Sequence, residues 1–286
     1  MIEIDDDWEA FLECGNVDNC NTNILLSTDN NINDKKTPKC GEIYISTKTY
    51  ISYLNQSVDL DEVFWKLKIM NYHTQKEGIV KKQMKFNSQN QNELDDIIKN
   101  VDNNINNKQL VEQYIITQII NPEGRIKFKD IRKISIGLCK RDILSYRCKQ
   151  KSAFYNCFVI IMRIQIANNN YKEIHVKVFN TGKLEIPGIQ TDETLNKVLN
   201  ILTKNILKPV IDDSIDYIAE KSETVLINSN FNCGFYINRE ELFNILKYKY
   251  KINSAYDPCS YPGIQCEFYH DSNKSEQDGR QPEEIT

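Results

Sequence analysis

The segment from Cys157 to Ile189 limits the possible folds more than any other part of the chain. Phe158, Ile160, Met162, Ile164 and Ile166 alternate with Val159, Ile161, Arg163 and Gln165. After a turn at Asn168-Asn-Asn170, Ile174, Val176 and Val178 alternate with His175, Lys177 and Phe179. A period of two puts one set on each face of a strand. Asn180-Thr-Gly182 breaks the second run, and Lys183 to Ile186 resumes it before Pro187-Gly188. The pattern predicts a meander of antiparallel strands. Thr191-Asp192 then caps a predicted helix with Leu195, Val198, Leu199, Leu202 and Ile206 on one side, ended by Pro209.

Upstream, Ile43 to Leu54 is rich in β-branched and aromatic residues and contains no proline, so it reads as a strand. Asp59 opens a short amphipathic helix through Leu60, Val63, Phe64 and Leu67, with Asp61 and Glu62 in the first turn, where the helix dipole favours them. Residues 87 to 108, rich in Asn, Gln and Asp, read as a surface insertion, and Leu110 to Ile120 as a helical stretch. A strand from Thr224, a helix from Asn238 and a final strand near Tyr261 complete the prediction. Residues 1 to 40 read as a mostly disordered acidic lead and 271–286 as an acidic tail.

Composition excludes several classes. No apolar run nears the ~20 residues that cross a bilayer, and the acidic start Met1-Ile-Glu-Ile-Asp-Asp-Asp lacks the order of a secretory signal. Nine cysteines without a CxxC pair, and only three histidines, favour a reducing compartment and neither a disulfide framework nor a zinc site. No metal or other cofactor is expected. The net charge of −4 hides a basic block from Arg125 to Lys151, ten cations against Asp130 and Asp142. That block is either a nucleic-acid footprint or a solvated basic helix or hairpin.

Two pieces of the chain look alike. Glu62-Val63-Phe64-x-x-Leu67 matches Glu241-Leu242-Phe243-x-x-Leu246, and each precedes a turn tyrosine, Tyr72 or Tyr256. An internal repeat implies two halves that bury their faces against each other. With Ile45-Ser46-Thr47, Val58-Asp59-Leu60, Phe179-x-x-Gly182-Lys183-x-x-x-Pro187-Gly188 and Tyr256-x-Pro258-x-x-Tyr261-Pro262-Gly263-Ile264, the chain resembles the TATA-box-binding protein family, in the divergent form of large DNA viruses. The resemblance covers roughly residues 42–86 and 151–270.

It implies an α+β fold: a pseudo-twofold saddle of curved antiparallel sheet with helices on the convex face. A first repeat would span 41–210 with an insertion at about 87–150, and an incomplete second repeat 211–270, the chain stopping before the second half's last strands. It also implies a transcription initiation factor that binds and bends double-stranded promoter DNA through the minor groove. Its partners would be another initiation factor or RNA polymerase subunits, inside the cell, in a viral factory or the host nucleus. Apolar wedges that part base steps are the handle of such binding. Phe179 and Tyr261 are the implied wedges. In the first half, counting back from Arg163 gives Cys157 and allowing a bulge gives Phe154, which is favoured because a cysteine is too small to hold a step apart. Lys177, Thr181, Lys183 and Arg163 would accompany them, with Thr47 and Leu226 at the groove centre and Asn228 two residues on. Glu185 and Glu267 depart from the pattern, since a carboxylate pressed against phosphate is repelled. They favour a second reading, a protein-interaction module of the same fold that no longer touches DNA. A third, an accessory domain of a DNA-processing enzyme, finds no phosphate loop, nucleophile elbow or metalloprotease motif here, so the chain reads as a non-enzyme.

Overall fold

The computed structural model describes residues 39–144, 155–167 and 170–281. In chain order the larger unit, Cys40–Cys233, holds β1 (Tyr44–Tyr53), α1 (Leu60–Lys66), β2 (Gly78–Ser88), α2 (Gln91–Asn106), β3 (Val111–Ile120) and β4 (Phe128–Gly137). It continues with α3 (Lys140–Leu144), β5 (Cys157–Ala167), β6 (Asn170–Phe179), β7 (Lys183–Ile189), α4 (Asp192–Asn200) and β8 (Glu223–Asn230). The eight strands form one antiparallel sheet in the order β3-β4-β2-β5-β6-β7-β1-β8. The architecture is α+β, and among the described residues no helix is long and apolar enough to cross a membrane.

Local chemistry explains most of these elements. Asp59 accepts the Glu62 amide at 3.0 Å and caps α1, which buries Leu60, Val63 and Phe64. The alternating run folds as the meander β5-β6-β7, with Phe158 facing Val178 and Ile160 facing Val176 across the ladder. Thr191 caps α4, which runs on through a wider turn at Ile201–Leu207 before Pro209.

Two segments depart from the sequence-based expectation. Leu110 to Ile120 is not helical: Val111–Ile120 is strand β3, as its β-branched and aromatic content favours. Within the insertion, α2 is a full helix capped by Asn90, with Leu94 and Val101 buried, and β3 and β4 extend the same sheet through β2. The inserted stretch is therefore an edge of the sheet and not a loop.

One face of the sheet carries the core. Phe158, Ile160, Met162, Ile164, Ile174, Val176, Val178, Leu184 and Ile186 pack with Val63 and Phe64 of α1, Val101 of α2 and Val198 and Leu199 of α4. A lysine sits inside this layer. Lys82 is 1 % exposed, and its Nζ donates to the carbonyls of Phe64 and Leu67, each at 2.7 Å, and lies 4.9 Å from the Phe64 ring centroid. It serves the last carbonyls of α1, which no intrahelical donor reaches. Arg132 and Asp130 also face this layer and pair through two bonds, at 2.6 and 2.8 Å.

One spacing recurs in the sequence and in the strand pairing. Asp59, Glu62, Phe64 and Leu67 recur as Asn238, Glu241, Phe243 and Leu246, a spacing of 179 (238 − 59). Asn238 accepts the Glu241 amide at 3.3 Å, as Asp59 accepts that of Glu62. The same spacing carries Lys48 onto Ile227, and these two residues face each other where β1 pairs with β8. β1 bulges at Ser46, between Ile45 and Thr47, and β8 bulges at Val225, between Thr224 and Leu226. Val225 again lies 179 positions after Ser46. Bulges re-aim a strand at a defined place, so two at matching places make the β1–β8 ladder self-complementary.

The second unit, from Gly234 on, holds α5 (Arg239–Asn244), a wider helical turn at Ile245–Lys249, and the short pair β9 (Asn253–Ala255) and β10 (Gln265–Glu267). The strand expected near Tyr261 begins later, at Gln265. Tyr261 itself lies in the preceding turn, its amide donating to the Asp257 carbonyl at 2.9 Å.

Candidate nucleic-acid interface

The face of the large sheet turned away from α1, α2 and α4, here the open face, carries Phe179, Lys177, Lys183 and Thr47 of the predicted contact residues. The pleat alone decides this. Val176 and Val178 are buried on the helical side, so Lys177 and Phe179 take the other side, where Phe179 is half-buried. Lys183 stands with its Nζ 5.6 Å from the Phe179 ring centroid, a cation over an aromatic face. Thr181 is exposed in the turn between them.

That turn is rigidly held. The Gly182 amide donates to the Phe179 carbonyl at 2.9 Å, Leu54 donates to the Gly182 carbonyl at 2.8 Å, and Val58 to the Asn180 carbonyl at 2.9 Å. Gly182 has φ +82°, and a Cβ there would lie 2.4 Å from the Gln56 carbonyl oxygen. Only glycine fits both constraints. The segment between β1 and α1 thus fixes the position of the Phe179 ring.

Two predicted cations are already engaged. Lys177 faces Glu185 across β6 and β7, with Nζ 2.7 Å from Oε1. The departure at Glu185 is therefore the ion-pair partner of a predicted phosphate contact. Arg163 is 8 % exposed, and its Nη1 donates to the carbonyls of Tyr72 and Thr74 at 2.6 and 3.1 Å. Its Nη2 lies 3.3 Å from Glu173, and the guanidinium stacks 4.5 Å from the Tyr72 ring centroid. It anchors the turn before β2 and does not project from the open face.

At the sheet edge, where β8 pairs with β1, Thr47 faces Asn228. The Asn228 amide donates to the Thr47 hydroxyl at 3.0 Å, and Leu226 faces Thr49. Of the two first-half wedge counterparts, Phe154 lies outside the described residues. Cys157 is 3 % exposed, and burial pushes its thiol up to about 11, so it is an uncharged filler beside Phe179. In the second unit the Tyr261 ring lies against Gly263, where a Cβ would come within 2.6 Å of it, so the ring covers its own turn. Glu267 is bonded to Tyr269 and Asn253.

The basic block is sorted by the pleat of β4. Arg132 and Asp130 neutralise each other on the helical side, while Lys129 and Lys133 fall on the open face. Arg147, Lys149 and Lys151 lie outside the described residues. Sequence reasoning missed β2 altogether, although Lys81, Gln83, Lys85 and Asn87 alternate with Lys82, Met84 and Phe86. A buried lysine in the apolar phase masked the period. At the far end of this face Lys81 pairs with Asp142 at 2.8 Å. Burial opposes ionisation of Asp142, but Lys81 and the Cys139 amide hold its carboxyl below the ordinary value.

No group of three or more His, Cys, Asp or Glu side chains that could hold a metal ion occurs among the described residues. Comparison with protein-family models, characterised proteins and solved structures gives no match.

Proposed function

We propose that this chain is a TATA-box-binding-protein-like transcription initiation factor that binds duplex promoter DNA through the open face of its sheet and bends it. The observation that carries this reading is the self-complementary ladder: a 179-residue repeat whose first strands pair about their own equivalent residues, Lys48 and Ile227, with matched bulges. A pseudo-twofold sheet suits a duplex, whose backbone is itself twofold about each base pair. Phe179, held by the Gly182 turn with Lys183 over its ring, supplies an apolar wedge beside a cation. Other initiation factors or polymerase subunits are the partners that such a factor would present to a promoter.

A second reading, a protein-interaction module of the same architecture, is favoured by one observation. The Lys177–Glu185 pair and the Asn228–Thr47 bond engage side chains that DNA would otherwise claim. Binding to a short A·T-rich duplex labelled at both ends separates the two. The DNA reading expects complex formation at low salt with a shortened end-to-end distance. It expects Phe179→Ala to lose most of the bend while keeping non-specific affinity. Failure of the intact chain to bind any duplex at 50 mM salt rejects it in favour of the interaction module.

A further inference from the structure

We infer that the cavity between the loop preceding β2 and the start of β6 is a binding site for an adenine nucleotide. The site is separate from the contacts assigned above and stands whether or not the open face takes DNA. It lies six residues along β6 from Phe179 (179 − 173), about 20 Å away at about 3.4 Å per residue. Its volume is about 370 Å³, within the range of cavities that enclose a small molecule.

The most buried part of the lining is an ion pair. Arg163 faces Glu173 across the β5–β6 ladder with Nη2 3.3 Å from Oε1, and Glu173 Oε2 also accepts the Lys140 amide at 2.8 Å. Two aromatic rings line the cavity, and the protein fixes both. The Arg163 guanidinium lies 4.5 Å from the Tyr72 ring centroid, and the Tyr171 hydroxyl donates to the Gln75 carbonyl at 3.0 Å. Lys172 is tethered in the wall by its Nζ, which donates to the Gly188 carbonyl at 3.1 Å. A wall held in place before the ligand arrives spares the entropy of ordering it.

Two lining groups are not engaged in this way. Among the described residues, neither the Gln75 side-chain amide nor the Lys140 ammonium has a hydrogen-bond or ion-pair partner. Their chemistry selects the ligand. Arg163 and Glu173 neutralise each other, so Lys140 supplies a positive charge that a phosphate can take. The Gln75 amide offers a donor and an acceptor side by side, the complement of adenine N6 and N7, whereas guanine presents two acceptors there. Tyrosine rings supply faces on which a base stacks. An aliphatic acid would use the cation alone and leave the rings and the amide without a role. Free AMP and an unpaired adenosine within a nucleic-acid strand offer the same chemistry, and the test separates these two sources.

The test is calorimetric titration of the full chain with AMP, adenosine, cytidine monophosphate, inorganic phosphate, a single-stranded oligothymidylate and the same strand carrying one central adenosine. AMP should bind with a Kd below about 1 mM, at least about fivefold more tightly than cytidine monophosphate. Gln75→Ala should abolish that preference. Lys140→Gln should weaken AMP by about threefold and leave adenosine unchanged. Both side chains are exposed, so neither variant disturbs the core. Tyr171→Ala should weaken AMP and adenosine alike by about fivefold or more. AMP binding with no gain from the adenosine in the strand assigns the site to the free nucleotide, and the reverse assigns it to a strand. Phosphate binding as tightly as AMP overturns the inference. So does the absence of both AMP binding and any gain from the adenosine.

Discussion

Lys82 offers the sharpest quantitative test of the core. Burial pushes its ammonium down from 10.5 to about 8. The folded protein therefore holds fewer protons than the unfolded chain between about pH 8 and 10.5, and stability must rise with pH across that window. Full expression of that difference is worth roughly 3 kcal/mol. Between pH 7 and 9 the folded lysine loses most of a proton that the unfolded one keeps at pH 9, so the gain over that interval is about 1 kcal/mol. Lys82→Met keeps the volume but removes the proton. At pH 7 it relieves the buried charge and strands the carbonyls of Phe64 and Leu67, at about 1–3 kcal/mol each. These terms oppose each other and are of similar size, so the net change at pH 7 is small and its sign uninformative. The pH dependence does discriminate. Urea unfolding at pH 7 and pH 9 should show wild type gaining about 1 kcal/mol more than Lys82→Met over that interval. Equal gains in the two proteins would refute the assignment of a charged, buried Lys82 at neutral pH.

Gly182→Ala should destabilise the fold by about 2 kcal/mol or more, because it forces an alanine to φ +82° and sets its Cβ 2.4 Å from the Gln56 carbonyl oxygen. A thermal midpoint unchanged to within a degree would contradict that geometry. Glu185→Gln should release Lys177 from its 2.7 Å partner, steepen the salt dependence of duplex binding by about 0.9 and cost no more than about 1 kcal/mol of stability. Salt-titrated anisotropy together with urea unfolding would read both changes, and an unaltered slope would count for the interaction module.

The sequence displayed the parts of the fold that depend on local period and on caps. The meander from Cys157 to Ile189 and the caps at Asp59, Thr191 and Asn238 emerged as read, because alternation and an oxygen acceptor before a helix are properties of neighbouring residues. β2 and β3 did not. Lys82 occupies an apolar phase of β2 and hides its alternation, while β3 shows exposed apolar residues on both faces, as an edge strand with little cover can. The site was legible only in part. The pleat fixed the side of Phe179 from its neighbours Val176 and Val178. Nothing in the linear order revealed that Lys177 meets Glu185 or that Arg163 turns back to Tyr72. Each of those depends on register between strands, and a shift of one residue would reverse every face.

The β1–β8 ladder at the sheet edge combines a regular spacing with unlike side chains. Under the 179-residue spacing Thr47 corresponds to Leu226 and Thr49 to Asn228. Because the pairing is antiparallel, each cross-strand pair maps onto the other: Thr47–Asn228 onto Thr49–Leu226. A strictly symmetric protein would make these two pairs identical. Here one pair is a hydroxyl bonded to an amide at 3.0 Å, and the other is a threonine beside an apolar leucine. The backbone pairing is matched under that spacing, down to its bulges, while the side chains are not. Backbone pairing is what holds β8 to the sheet, so it tolerates little change, whereas the exposed Leu226 side chain belongs to no core cluster. If the sheet binds DNA as proposed, this ladder would distinguish the two directions of a duplex, since its polar pair and its apolar pair would meet different groove edges.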